Sequence, residues 1–320
     1  MIINTPRPAV SRDGASVSVA LGTDVTLVDV GDGSRRVVKA PITASIVALS
    51  PTGGHIPAVA GGFELAWLSE ATPSPVIQLP GRAVSARVSD GGTVVVVTRS
   101  DSQGTRLCAY AGADLAEVFK PVALGHASVH VVELDSDASV VMAGLNRERA
   151  SETGQHYLRQ VGWTKGHASI TWGGDGVPND VELARASGGH LVVVRGKQII
   201  TSTIAALATD GEIDGETSDI GGEIETIAIS PDGLSVCIVV GGDNGLHVQS
   251  RRFDQARVVD RGSVPHGLDN VEAAIDDDGT LVVVGLRSAT QAVIAVASPD
   301  GRLEESWQID QPRSVFRDNR

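Results

Sequence analysis

The chain has 320 residues, of which 42% are hydrophobic and only 3% are aromatic, so it can bury a sizeable core and is not a disordered chain. Its formal net charge of −13 argues against a nucleic-acid or anionic-membrane partner, because both carry the same sign of charge. No apolar run approaches the roughly 20 residues that cross a bilayer, and residues 1–8 lack the features of a signal peptide. These observations predict a cytoplasmic protein.

One unit recurs along the chain: a short alternating strand, a tight turn rich in Ser, Asp and Gly, and a strand of nearly continuous Val. The first copy covers residues 9–19, and the sixth copy begins at Ile227. In chain order, the turns are anchored at Gly14, Gly53, Gly91, Ala138, Gly188, Gly233 and Gly279. Repeats of about 40 to 50 residues that each hold four strand-length segments are typical of propeller blades.

The remainder of each unit supplies a third and a fourth strand. In the seventh unit, 291–296 is predicted as the third strand, Ser298–Gly301 as a hairpin turn and 303–309 as a charged outer strand. The Asp-Gly pair in that turn provides the positive φ angles that two-residue hairpins need. No stretch of the sequence repeats apolar residues with helical periodicity over three turns.

We therefore predict an all-β fold, with residues 1–320 forming one seven-bladed β-propeller of four-stranded antiparallel blades. Stacked blades cover both faces of each sheet, so Val193, Val239 and Val283 on second strands should be fully buried. The C-terminal tail, 312–320, either helps to latch the ring or extends beyond the domain. The blades are expected near residues 6–40, 41–80, 81–122, 123–174, 175–222, 223–264 and 265–311.

The sixth repeat carries a family resemblance. Ile229–Gly233 reads Ile-Ser-Pro-Asp-Gly, and the segment 239–248 adds a second strand, an Asp-containing turn and a third strand. Gly125-His126 precedes a first strand, as the Gly-His pair of WD40 repeats does. The chain thus resembles the WD40-like and related Ser-Pro-Asp-Gly bacterial propellers, although no Trp-Asp dipeptide ends a third strand. The resemblance implies a propeller that serves as an interaction platform, without specifying an activity.

Residues with catalytic or metal-binding chemistry are few. The eight histidines form no His-x-His or His-Glu-x-x-His pair, and no P-loop or nucleophile elbow is present. The carboxylate run Asp276–Asp278 occupies the slot of a hairpin turn rather than a calcium loop. Cys108 and Cys237 fall in apolar strands and are interpreted as buried thiols. The sequence accordingly predicts no cofactor and no metal site.

The sequence lengthens on one face of the predicted propeller. The connection 146–154 in the fourth unit and the inter-blade loop 173–180 are long and open onto the same side, and loops carry binding residues disproportionately. The candidate binding residues are Arg147, Glu148, Arg149, Trp172 and Asp175. The leading hypothesis is a non-catalytic scaffold for a protein partner. The alternatives are a propeller lactonase or hydrolase with a site in the central channel and, less favoured because aromatics are scarce, a sugar-binding propeller.

Overall fold

The strands that the sequence predicts are present in a computed structural model of the protein, and they pair into consecutive four-stranded sheets. Placement is described for residues 8–53, 57–69, 74–125, 128–136, 139–146, 155–164, 166–172, 183–187, 189–195, 197–203, 216–220, 222–242, 245–253, 258–288 and 290–310. No helix long and apolar enough to cross a bilayer occurs within these ranges.

The first three sheets follow one another along the chain, and each pairs its strands in the order of the sequence. The first contains β1 (Ala9–Val10), β2 (Ser16–Leu21), β3 (Asp24–Asp29) and β4 (Arg35–Lys39). The second contains β5 (Ile46–Ala48), β6 (Ala58–Gly61), β7 (Glu64–Trp67) and β8 (Val76–Gln78). The third contains β9 (Arg82–Val88), β10 (Thr93–Ser100), β11 (Gly104–Ala111) and β12 (Ala116–Ala123).

Four further sheets repeat the arrangement. The fourth contains β13 (Ser128–Ser136), β14 (Ser139–Asn146), β15 (Gln155–Thr164) and β16 (His167–Trp172). The fifth contains β17 (Leu183–Ser187), β18 (His190–Arg195), β19 (Gln198–Thr203) and β20 (Glu216–Asp219). The sixth contains β21 (Glu223–Ile229), β22 (Ser235–Gly242), β23 (Gly245–Arg252) and β24 (Val258–Ser263), and the seventh contains β25 (Asp269–Ile275), β26 (Leu281–Ser288), β27 (Gln291–Ala297) and β28 (Glu304–Asp310).

All the strand pairs within these sheets are antiparallel, so the predicted β-propeller of four-stranded antiparallel blades is confirmed. Val193, Val239 and Val283 lie on second strands and are 0% exposed, as predicted. Val239 and Val283 belong to one apolar cluster that spans the sixth and seventh sheets. The core therefore consists mainly of contacts between neighbouring blades, because the second strands are apolar on both faces.

The turn between the first and second strands has the same form in several blades. In the sixth blade, Ser230 N–H donates to the Ser235 carbonyl at 2.9 Å, and Gly233 N–H donates to the Ser230 carbonyl at 2.9 Å. Gly233 has φ +76°, which a residue with a side chain rarely adopts. In the sixth blade the glycine of positive φ lies three residues after the turn serine. The same spacing in the third blade leads to Gly92 rather than to the predicted anchor Gly91.

Neighbouring blades are also linked through these turns. Thr52 N–H and Oγ1 donate to Asp90 Oδ1 at 3.2 and 2.8 Å, which joins the second blade to the third. In the same way, Asp232 N–H donates to Asp277 Oδ1 at 2.8 Å and joins the sixth blade to the seventh. We name the side of the propeller that carries the turns Ser11–Gly14, Ser50–Gly53, Ser89–Gly92, Ser230–Gly233 and Asp276–Gly279 the turn face.

The first and seventh blades are packed against each other. Val17 and Val19 of β2 share an apolar cluster with Val282 and Val284 of β26. The outer strands meet as well, since an Arg35 guanidinium nitrogen donates to the Gln308 carbonyl at 2.9 Å. The first and the last sheet each consist of four consecutive strands and share none, so side-chain packing between them closes the ring. The predicted latch, 312–320, lies outside the described residues.

Candidate binding face and central channel

The loop face is the side opposite the turn face, where second strands connect to third strands and one blade connects to the next. Of the predicted binding residues, Arg147, Glu148, Arg149 and Asp175 lie outside the described residues. Trp172 is the last residue of β16, where its backbone pairs with Gln160. The stretch that contains the three residues 147–149 does connect a second strand, β14, to a third strand, β15, as predicted.

An exposed aromatic residue lies on this face at a turn of the second blade. Gly61 pairs with Glu64, so Gly62 and Phe63 form a two-residue turn between β6 and β7. Gly62 has φ +57°, as the first central position of a type II′ hairpin requires. The Phe63 side chain is 56% exposed, and it is the only aromatic residue among the large exposed hydrophobic residues of the described chain.

The equivalent turn positions in other blades are polar. Counting from the paired strand ends, Phe63 corresponds to Thr23, Lys197 and Thr290 in the first, fifth and seventh blades. All three are exposed. The position itself therefore does not require an apolar side chain. An exposed Phe there offers apolar area that a partner protein can bury.

The backbone around Phe63 is held in place by the segments that precede and follow the second blade. Leu79 N–H donates to the Phe63 carbonyl at 2.7 Å, and Ala83 N–H donates to the Gly62 carbonyl at 2.8 Å. Gly61 packs directly on the backbone of Thr43, where a Cβ atom would collide with the Thr43 carbonyl oxygen. These contacts fix the turn before any partner binds, so little ordering entropy is lost on association.

Two arginines of the third blade lie beside this turn. Arg82 directly precedes Ala83, and it is opposite Arg99 in the register of β9 and β10. Arg99 is exposed, and Arg82 is half-buried. The turn therefore lies near charges of both signs, since Glu64 directly follows Phe63 in the chain. Phe63 was not among the residues predicted to bind; the signal for it in the sequence is an aromatic residue at a turn position that is polar in other blades.

The first strands surround a central channel that contains a cavity of about 380 Å³. Its described lining includes small and aliphatic residues of the first, second, third, sixth and seventh blades, among them Ala9, Ala48, Ala86, Ala228 and Ala274. The charged residues of the described lining are Arg12, Arg87, Arg185, Glu225 and Glu272. The channel therefore combines an alkyl wall with a small set of charges, which is the usual composition of a small-molecule site.

The charges are ordered along the channel axis. Arg12 lies in a turn on the turn face, and Arg87 and Arg185 lie two residues before the turn residues Ser89 and Ser187. Glu225 and Glu272 occupy earlier positions on β21 and β25, nearer the loop face. Glu272 Oε2 lies 3.7 Å from an Arg185 guanidinium nitrogen, so these two charges offset each other.

Arg12 extends across the channel. An Arg12 guanidinium nitrogen donates to Ser187 Oγ at 3.3 Å, which joins the first blade to the fifth. Ser187 Oγ in turn donates to the Pro231 carbonyl at 3.0 Å in the sixth blade. This chain of hydrogen bonds narrows the channel at the turn face.

The hydrolase alternative requires carboxylates and a histidine that converge on the channel. The described lining contains two carboxylates and no histidine. Across the described ranges of the chain, no three His, Cys, Asp or Glu side chains lie close enough together to hold a metal ion. The described part of the channel does not assemble the catalytic group that this alternative needs.

The Asp276–Asp278 run forms the turn of the seventh blade, as predicted. Asp276 occupies the position of the turn serine, and its Oδ1 accepts a hydrogen bond from Thr280 N–H at 2.7 Å. Burial and hydrogen bonding to Asp278 raise the pKa of Asp276 to about 6, whereas the same bond lowers the pKa of Asp278. In its protonated form, Asp276 occupies the role of the Ser230 hydroxyl, which donates to Asp232 Oδ1 at 2.5 Å in the sixth blade.

The two cysteines are buried and unbridged, as predicted. Burial raises the pKa of Cys237 to about 12, although the positive charge of Arg261 opposes that shift. Burial also raises the pKa of Cys108. Both groups are therefore poor nucleophiles, because the thiolate is the reactive form.

Comparison with known proteins supports the fold alone. No family model matches the chain, and no curated protein matches it. Among solved structures, the chain is similar to the propeller domain of Myceliophteria thermophila Cps50 (Swd1), with 12% identity, a TM-score of 0.64 and coverage of 92% of this chain and 97% of that one. It is also similar to a chain of the mitotic checkpoint complex, with 14% identity, a TM-score of 0.62 and coverage of 96% and 90%.

A third similar structure is the propeller domain of the trilobed protease from Pyrococcus furiosus, described as having an open velcro topology. It shares 12% identity with this chain at a TM-score of 0.62, and the match covers 96% of this chain and 99% of that one. Two of these neighbours are β-propeller domains, so the propeller architecture is confirmed, whereas the WD40-like family stays an expectation.

Proposed function

We propose that this protein is a non-catalytic scaffold that binds a partner protein on its loop face. The observation that carries the proposal is Phe63, which is exposed on a rigid turn where equivalent blades have Thr or Lys. One of the similar propellers comes from a multiprotein complex, which is consistent with the same use of the fold.

The chemistry around Phe63 defines the partner. A Phe side chain provides apolar contact area at the cost of ordering few rotatable bonds, and it binds best in a desolvated pocket. Arg99, which is exposed on the neighbouring third blade, favours a carboxylate. The proposed partner therefore presents an apolar pocket flanked by Asp or Glu residues.

The candidate residues from the sequence extend the same proposal. Arg147, Glu148, Arg149, Trp172 and Asp175 belong to the fourth blade and to the connection that follows it. The connection 147–154 opens onto the loop face, since it joins a second strand to a third. Arg and Trp are enriched at interface hot spots. We propose that they form the second half of the binding surface.

The test uses wild type and variants as bait for proteins of the native host, followed by affinity measurement with the purified partner. Phe63→Thr inserts the residue found at the same position of the first blade. We expect binding to weaken at least tenfold, roughly 1.4 kcal/mol. Val258→Thr is the matched control, because Val258 is 48% exposed but lies on the outer strand β24.

A second variant tests the fourth-blade residues. Replacing Arg147, Arg149 and Trp172 together by Ala should weaken the same complex at least tenfold, roughly 1.4 kcal/mol. Each substitution needs its own melting curve, because Trp172 ends a strand. If Phe63→Thr and the triple variant both keep full affinity while remaining folded, the partner binds the turn face or the rim, and the proposal is wrong.

A further inference from the structure

The linker that joins the first blade to the second, residues 40–45, lies directly against the Phe63 turn. Gly61 is the last residue of β6 before that turn, and a Cβ atom there would collide with the Thr43 carbonyl oxygen. The equivalent residues of the first, fifth and seventh blades all have side chains; they are Leu21, Arg195 and Ser288. Among these four blades, only the second lets its linker approach the turn so closely.

The side chains of the linker alternate between the core and the loop face. Ala40, Ile42 and Ala44 belong to the apolar cluster between the first and second blades. Pro41 and Thr43, which alternate with them, are exposed. The three buried residues anchor the linker, and the two exposed residues face outward beside the Phe63 turn.

Backbone hydrogen bonds fix both ends of the linker. Ala40 N–H donates to the Thr23 carbonyl at 2.8 Å, and Ser45 N–H donates to the Ala60 carbonyl at 3.0 Å. The proline of the linker restricts its backbone further, because the ring fixes φ. The linker is thus as firmly held as the Phe63 turn, so a partner can cover both with little loss of ordering entropy.

The two sides of the Phe63 turn differ in charge. Toward the third blade, Arg99 is exposed, whereas the linker toward the first blade exposes only uncharged side chains. Lys39 directly precedes the linker, and its ammonium lies 2.5 Å from Asp24 Oδ1, so these two charges offset each other. A charged group of a partner placed over the linker would lose its water without meeting an opposite charge.

We infer that the partner of the loop face covers Pro41 and Thr43 together with Phe63, and that its surface over the linker is uncharged. The inference rests on the proposed function, because it extends the interface centred on Phe63. It also orients the partner: its uncharged part lies toward the first blade, and the carboxylate that Arg99 favours lies toward the third.

Two substitutions of opposite charge at one position test the inference, with the partner protein that wild type captures from the native host. Thr43→Lys and Thr43→Glu should each weaken the complex about tenfold, because either charge would be buried without an opposite charge. Their Tm should match wild type, since the Thr43 side chain is exposed. Thr290→Lys and Thr290→Glu are the controls and should keep full affinity, because Thr290 is exposed at the equivalent turn of the seventh blade.

Thiol labelling checks the contact without a change of charge. Cys108 and Cys237 are buried, so a cysteine introduced at an exposed position can be labelled selectively. The captured partner should protect the Thr43→Cys variant from a maleimide. The Thr290→Cys variant should remain as reactive in the complex as it is alone.

The outcomes separate a failure of this inference from a failure of the proposed function. If Lys and Glu at position 43 change the affinity in opposite directions, the partner presents a charged group there and the inference is wrong. If both variants keep full affinity and the thiol stays reactive, the linker lies outside the interface and the inference is wrong, even where Phe63→Thr weakens the complex. If Phe63→Thr also keeps full affinity, or wild type captures no partner, the proposed function and the inference are both wrong.

Discussion

On the turn face, the connections between first and second strands repeat one arrangement of hydrogen bonds, whereas the connections on the loop face differ in length and in residue type. The Ser230 turn of the sixth blade and the Asp276 turn of the seventh both close through a short backbone bond to a glycine of positive φ. The loop-face turns hold Thr23, Phe63 and Lys197 at one equivalent position. The fold constrains the residues of the turn face, and the residues of the loop face are left to vary with function.

The largest expected effect is a loss of stability when the core between the two faces is changed. Val283→Asp places a carboxylate at a position that is 0% exposed, between the sixth and seventh blades. An unpaired buried charge costs at least several kcal/mol, so the variant should be unfolded or strongly destabilised in urea. Unchanged stability would show that the second strand is not buried between blades.

A smaller loss of stability is expected on replacing Arg261, which links the outer strand of the sixth blade to the seventh blade through hydrogen bonds. It is 1% exposed, donates to the Gly279 carbonyl at 2.6 Å and also bonds the Pro299 carbonyl. Arg261→Met removes a buried charged donor from both carbonyl groups and should reduce the free energy of unfolding by about 2 to 4 kcal/mol. Arg302→Met, at an exposed arginine, is the control; equal losses in both variants would contradict the role of Arg261.

The Asp276 turn predicts a pH-dependent difference. A pKa raised from 3.8 to about 6 means that the folded protein favours protonated Asp276. Its stabilising effect is complete below 3.8 and is lost as the pH rises through about 6. Asp276→Ser keeps a hydroxyl donor at every pH, as Ser230 does, so it should raise Tm relative to wild type above about 6 but not below 3.8. A constant difference in Tm across this range would mean that folding does not raise the pKa of Asp276.

The smallest effect on stability is expected on the loop face. Phe63→Thr removes a side chain that is 56% exposed and leaves intact the backbone bonds of the turn, from Leu79 to Phe63 and from Ala83 to Gly62. The free energy of unfolding should change by less than about 0.5 kcal/mol, the usual range for surface substitutions. Urea unfolding checks this value, and a large loss would indicate that Phe63 contributes to the core rather than to a binding surface.

The parts of this protein that depend on local chemistry can be predicted from its sequence. Runs of Val predict strands that are covered on both faces, so the burial of Val239 follows from the sequence. The recurring turn pattern that ends in Gly predicts the Asp276–Asp278 turn in the same way. The predicted turn anchor was Gly91, whereas the structure has the positive φ at Gly92, because a pair of adjacent glycines does not show which of the two adopts that conformation. The channel charges were not predictable in the same way, since Arg185 and Glu272 meet only when blades distant in sequence are placed in register. The role of Arg147 and its neighbours stays a prediction.

The most direct test measures partner affinity and stability for one substitution on each face. Phe63→Thr should weaken the partner complex at least tenfold, roughly 1.4 kcal/mol, with Tm unchanged. Ser230→Ala removes the hydroxyl that bonds Asp232 and Ser235, so it should cost about 1 to 2 kcal/mol of stability while the folded variant keeps its affinity. If Ser230→Ala weakens the complex and Phe63→Thr leaves it unchanged, the partner binds the turn face and the account is contradicted.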